Sequence, residues 1–125
     1  MVTLYGIPNC DTVKRARQWL QDNRVPYTFH DFKTAGIPAD QLAHWVLALG
    51  PDRLLNRKGT TWRKLNPALA ATASTDDGVQ ALALAQPSVI KRPVVDWGDA
   101  AAQRWTVGFD ADLWKSLSTQ TTRER

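Results

Sequence analysis

The stretch Val2-Thr3-Leu4-Tyr5-Gly6-Ile7-Pro8-Asn9-Cys10-Asp11-Thr12-Val13-Lys14-Arg15-Ala16 contains a change of period that decides the fold. Val2 to Tyr5 is a short apolar run suited to a buried strand. After the Gly6-Ile7-Pro8-Asn9 loop, Val13, Ala16 and Leu20 recur at i, i+3 and i+7, while Lys14, Arg15, Arg17, Gln18 and Gln21 fill the other face. That spacing defines an amphipathic helix from about Cys10 to Asp22. Asn23 suits the left-handed conformation that ends a helix, and Val25-Pro26 cannot easily continue one. Tyr27 to Phe32 supplies a second strand. Strand, helix and strand within about thirty residues form a βαβ unit, which implies two parallel strands joined by a right-handed crossover.

Cys10 is the one cysteine of the chain, and this arrangement puts it at the carboxyl end of the first strand, where open α/β sheets carry their chemistry. It also faces the free N–H groups and the positive dipole end of a helix start, which favour a thiolate over a thiol. A lone cysteine is most often an inert apolar group; placement at a helix start is what sets this one apart. Asp11 works against ionisation, and Lys14, on the same helix face, opposes Asp11. Cys10-Asp11-Thr12-Val13 has no second cysteine, so a C-x-x-C dithiol cycle is excluded and any turnover requires an external resolving thiol. Oxidation must end in a mixed disulfide, a dimer or an oxyacid.

Downstream, residues 35–86 read as helical. Pro38 suits a first turn, Leu42, Trp45, Val46 and Leu49 make one apolar face, and Gly50-Pro51 stops that helix. Asp52 to Asn66 reads as two short helices broken at Gly59. Asp76 to Ala85 is a further helix, with Asp76 and Asp77 complementing its dipole and Pro87 ending it. The chain then returns to sheet: Pro93 to Trp97 and Gln103 to Val107 form an antiparallel hairpin with a longer loop. Asp110 caps a last helix, with Phe109 and Trp114 as the two ends of a hydrophobic staple. Thr119 to Arg125 is polar and expected to fray.

With 125 residues, 43% of them apolar and 22% charged, the sequence has the balance of one soluble domain that needs no disulfide or metal to hold it. Its tryptophans are spread along the chain, which suits core positions. No run approaches the length of a membrane span, and Val2-Thr3-Leu4-Tyr5 follows Met1 without a basic region or cleavage site, which reads as cytoplasmic. The net charge of +4 is dispersed apart from Lys14-Arg15-Arg17, Arg57-Lys58 and Arg63-Lys64. No basic stripe alternates with aromatics, so a solvated surface is preferred to direct nucleic-acid binding. His30 and His44 lack any partner at metal-ligand spacing, so no metal site is expected.

Three motifs in order carry a family resemblance: residues 5–16, then Leu54-Leu55-Asn56-Arg57-Lys58-Gly59-Thr60-Thr61-Trp62, then Ile90-Lys91-Arg92-Pro93-Val94-Val95. The chain resembles the arsenate reductase-like family, which also contains the Spx-type regulators. The resemblance implies an α/β, thioredoxin-like four-stranded mixed sheet with a helical insertion. It implies a single domain, with its core at about 1–34 and 87–118 and the insertion at about 35–86. It also implies a nucleophile at Cys10, an anion-facing arginine at Arg92 and a cis proline at Pro93. Asn9, Lys14 and Arg57 join these as candidate substrate- or anion-binding residues.

A guanidinium never loses its charge and offers several donors to an oxyanion, a glutathione carboxylate or a thiolate, which suits Arg92 to that place. Gly6 and Val13 stand where arsenate reductases of this type carry a histidine and a serine. Asn56 and Arg104 are offered where those enzymes place further arginines. The sequence therefore looks more like the family's glutathione-using thiol reductases, with no tightly bound cofactor and with glutathione as co-substrate. The expected partners are glutathione and a thiol, disulfide or oxyanion substrate, with no membrane. An Spx-like, redox-responsive regulator binding RNA polymerase is the alternative, and arsenate reduction is third.

Overall fold

The computed structural model describes residues 2–123, with side chains through residue 118. In chain order the elements are β1 (Val2–Gly6), α1 (Asp11–Asp22), β2 (Tyr27–Asp31), α2 (Phe32–Ala35), α3 (Ala39–Leu54), α4 (Thr60–Arg63), α5 (Pro67–Ala71), α6 (Asp76–Ala85), β3 (Val94–Asp96), β4 (Trp105–Val107) and α7 (Ala111–Arg123). They divide into two compact units. One comprises the chain up to Ala35 and from Arg92 onward; the other runs from Gly36 to Lys91. Residues 87–91 thus fall in the helical unit. Among the described residues no helix is long and apolar enough to cross a membrane.

The first unit is built on a four-stranded mixed sheet of order β2-β1-β3-β4. β1 pairs parallel with β2, setting Val2 against Tyr27 and Gly6 against Asp31. β3 returns antiparallel to β1, with Tyr5 opposite Val94, and β4 closes the hairpin on β3. The βαβ reading and the late hairpin are both present. Alternation along β1 sends Val2 and Leu4 to the face where Val13, Ala16 and Leu20 of α1 meet Val95, Trp97, Trp114 and Leu117. Trp114 anchors this core through edge contacts to Phe109 at 4.8 Å, Trp97 at 5.2 Å and Trp19 at 5.7 Å. Asp110 Oδ1 accepts the Leu113 N–H at 3.1 Å, so the cap and staple of α7 form as the sequence indicates. α7 continues as helix to Arg123, past the Thr119 where fraying was expected; Glu124 and Arg125 lie outside the described residues.

The end of α1 differs from the sequence reading. Asn23 stays near the helical region at φ −93°, and Arg24 takes the left-handed conformation at φ 56°. The Asn23 amide is occupied in donating to the Trp19 carbonyl at 2.9 Å. Val25 N–H then reaches back to the Leu20 carbonyl at 2.9 Å and Arg24 N–H to that of Gln21 at 3.1 Å, which is a Schellman motif with an arginine where glycine is usual.

In the helical unit, α3 packs on α6 through Leu42, Trp45, Val46 and Leu49 of one and Val79, Leu82 and Ala83 of the other. Gly50-Pro51 breaks the axis of α3 without ending it. Gly50 adopts φ 76°, ψ 160°, and Pro51 opens a last turn that reaches Leu54, because its fixed φ suits a first helical position. Only the later of the two short helices expected over 52–66 therefore stands alone, as α4 after Gly59. The unit's two ends are stitched together: Asn56 N–H donates to the Val89 carbonyl and Lys91 N–H to the Leu54 carbonyl, both at 2.7 Å, around a Leu55–Ile90 bridge.

Candidate active site around Cys10

β3 runs antiparallel to β1, so its first residues lie beside the carboxyl end of β1, where the chain leaves toward α1. Tyr5 opposite Val94 therefore brings the segment just before β3 to the start of α1. Arg92 and Cys10 meet for this reason, although 82 positions separate them (92 − 10). The Arg92-Pro93 bond is cis, as the resemblance implied. Pro93 is buried, and its carbonyl accepts the Gly108 N–H at 2.9 Å, which ties the turn to the chain leaving β4.

Cys10 is the N-cap residue of α1, with extended backbone (φ −102°, ψ 127°) and its carbonyl taking the Lys14 N–H at 2.9 Å. Its half-buried side chain packs at the border of the core cluster. The neutral thiol closes no capping hydrogen bond. Burial pushes the thiol pKa up, but the Val13 N–H, the Arg92 guanidinium and the Thr12 N–H all favour the thiolate. Together with the charge of Arg92 they outweigh burial and hold the thiol below its ordinary range. Thr12 and Val13 are the second and third helical positions, the two whose N–H groups an N-cap acceptor ordinarily takes. The sequence reading pointed to the N–H groups of the helix start without naming these two as the donors. The signal that would have found them is the cap position of Cys10 itself.

Arg92 is half-buried, and its Nε is enclosed with no hydrogen-bond partner, so one donor of this guanidinium is uncommitted. At the junction of β1 and α1, Val13 and Gly6 fit together. A Cβ on Gly6 would lie 2.9 Å from Val13 Cγ2, closer than real Cβ contacts come. Hydrocarbon from Val13, which is 0% exposed, thus occupies the place a side chain at position 6 would need.

The remaining candidates are arranged differently. Asn9 and Lys14 are exposed on the loop and on α1, and Asp11 is exposed beside them. Arg57 belongs to the helical unit, where it pairs with Asp52 and stacks 5.5 Å over Trp62. Arg104 is committed as well: its Nε and Nη2 grip Asp96 at 3.0 and 3.1 Å, and Nη1 pairs with Asp99. His30 makes a tilted ring contact with Tyr5 at 5.1 Å and an edge contact with Phe32 at 6.1 Å. Among the described residues no three His, Cys, Asp or Glu side chains are placed to share a metal ion.

A mixed sheet entered by β-α-β and closed by β-β-α, with a single cysteine at the first helix start and a cis proline just before β3, defines a thioredoxin-like protein with a one-thiol site. The sequence model of the ArsC family matches residues 5–117, and the chain belongs to that family. Its fold is similar to the solved structure of a YFFB protein, with a TM-score of 0.86 and 44% identity over 94% of this chain and 98% of that one. It is 37% identical to an uncharacterized protein of Haemophilus influenzae over 95 residues, 76% of this chain and 82% of the relative. It is 25% identical to the global transcriptional regulator Spx of Streptococcus pneumoniae over 128 residues, covering 100% of this chain and 91% of the regulator.

Proposed function

We propose that the protein is a cytoplasmic, glutathione-dependent thiol-disulfide reductase working through Cys10 alone. The Cys10 thiolate attacks one sulfur of a substrate disulfide, forms a mixed disulfide and expels the other sulfur as a thiolate. A glutathione thiolate then attacks that mixed disulfide, leaving with the substrate sulfur and returning the Cys10 thiolate. Arg92 holds the nucleophile and offers its half-buried guanidinium to an anionic group of glutathione or substrate. Asn9 and Lys14, both exposed, are the further candidate contacts for substrate. The observation that carries this reading is the convergence of the Val13 and Thr12 N–H groups and Arg92 on a single thiol whose pKa they lower. The test is reduction of a small mixed disulfide by glutathione, with Cys10→Ser beside wild type. Repeated turnover that the variant lacks supports the reading, and a single stoichiometric event sinks it.

The likeness to the Spx regulator favours a second reading, a redox-responsive regulator that binds RNA polymerase. A sensor of this kind built on Cys10 must signal by its oxyacid or a mixed disulfide, since the chain has no second cysteine. Co-purification with RNA polymerase that changes on oxidation, without glutathione turnover, would select this reading.

A further inference from the structure

We propose that Arg17 is a specificity residue, holding a carboxylate that an extended, acidic polypeptide carries about three residues from the sulfur that Cys10 attacks. The inference rests on the reductase reading above and names its substrate as the disulfide of an acidic peptide or protein segment. Cys10, Lys14 and Arg17 follow at i, i+4 and i+7, so they share one edge of α1. Seven helical steps (17 − 10) at about 1.5 Å each span about 10 Å, which is also the length of about three residues of extended chain.

Arg17 is held in place from two directions. It is half-buried, its guanidinium carbon lies 4.1 Å from the centre of the Phe29 ring, and its Nε donates to the Tyr27 hydroxyl at 3.0 Å. Tyr27 and Phe29 stand opposite Val2 and Leu4 on β2, an edge strand of the sheet, and so share the face that α1 covers. The ring contact and the bond at Nε fix the plane of the guanidinium. They leave its two Nη groups, the end that can grip a carboxylate with two parallel bonds. An arginine preorganised in this way loses little freedom on binding. Two acids of the neighbouring chain are engaged with other groups: Asp22 accepts the Gln18 amide and Asp31 accepts the Lys33 N–H, both at 2.8 Å. β1 lies between β2 and β3, so Arg17 over β2 and Arg92 before β3 belong to opposite sides of the strand that leads to Cys10. The two arginines are thereby placed for different parts of one disulfide substrate.

The test is single-turnover release of thionitrobenzoate when the reduced protein meets two peptides, each carrying it as a mixed disulfide on a central cysteine. One peptide has Asp three residues to either side of that cysteine, the other Asn. The Cys10 sulfur bonds to the peptide sulfur as the S–S bond breaks, and thionitrobenzoate leaves with the electron pair. Each rate is divided by that of free mercaptoethanol with the same peptide, so the peptide's own effect on its sulfur cancels. The acidic peptide is expected to be favoured by about tenfold, the size of one charge-assisted hydrogen-bonded contact. Arg17→Gln should bring that ratio close to one, and Tyr27→Phe, which releases Nε, should lower it in part. The ratio is internal to each variant, so a loss of folded protein does not move it. If wild type shows no preference, or Arg17→Gln retains it, Arg17 serves packing over Phe29 alone, and the proposal is overturned while the reductase reading stands. If neither peptide reacts faster with Cys10 than with mercaptoethanol, the reductase reading falls and the proposal with it.

Discussion

Val13 Cγ2 stands 2.9 Å from the point where a Cβ on Gly6 would be, so these two residues specify each other. Val13 is both a core residue of α1 and the donor of one N–H to the Cys10 thiolate, and Gly6 is the last residue of β1. The pair therefore couples the packing of helix on sheet to a residue whose N–H favours the Cys10 thiolate.

That coupling is open to measurement. Gly6→Ala should destabilise the protein by about 1–3 kcal/mol, the usual cost of forcing an extra methyl into a filled core. Val13→Ala removes the methyls it strikes and should recover part of that loss, giving a coupling energy of about 0.5–3 kcal/mol in a double-mutant cycle read by urea unfolding. Additive effects would show that the two residues do not constrain each other.

The rate of Cys10 alkylation against pH should have a midpoint below that of a free cysteine, because the Val13 and Thr12 N–H groups and Arg92 outweigh burial. Arg92→Ala should raise the midpoint without restoring the free value, since the backbone donors remain. The linked stability has a definite sign. A thiol whose folded pKa is depressed adds stability that is fully present above the unfolded pKa and is lost as pH falls through the folded one. The stability difference between wild type and Cys10→Ser should accordingly favour wild type more as pH rises across that window. A flat difference would mean that the thiol is not ionised preferentially in the folded state.

Arg92→Lys keeps the positive charge but loses the planar, multi-donor geometry and the uncommitted Nε. Glutathione-dependent turnover should fall while the urea midpoint stays near that of wild type. If stability and activity fall together, Arg92 is holding the fold rather than the substrate.

Arg24 occupies the left-handed position of the α1 Schellman motif at φ 56°. Arg24→Gly should stabilise the protein by about 1 kcal/mol, because the clash of a Cβ in this conformation outweighs the extra backbone freedom glycine brings to the unfolded chain. A loss of stability would show that the arginine side chain makes a compensating interaction.

The sequence by itself determined the four strands, the long helices and their order, but not the short helices α2 and α5. Val13, Ala16 and Leu20 at helical spacing, the apolar run before them and the strand after Val25-Pro26 are local patterns, and local patterns are what periodicity reports. The cap and staple of α7 were legible for the same reason, since Phe109, Asp110 and Trp114 lie within six residues (109 to 114). Cys10 could be singled out because a helix start is itself a local feature. The left-handed residue was misplaced by one, because the side-chain bond from Asn23 to Trp19 that moves it is made only once the helix has formed.

Tertiary structure decided everything that depends on distant segments meeting. The antiparallel register of Tyr5 with Val94 carries Arg92 to the sulfur, and only the family resemblance, not any spacing, had pointed there. Folding also settled which arginines are committed. Arg57 and Arg104 read as available cations in the sequence, yet one is paired with Asp52 and the other with Asp96 and Asp99. The fit of Val13 over Gly6 was equally invisible, because it exists only when the first turn of α1 lies down on the end of β1. A sequence shows which charges and volumes are present; which of them neutralise or fill one another is fixed by the packing of the sheet and its helices.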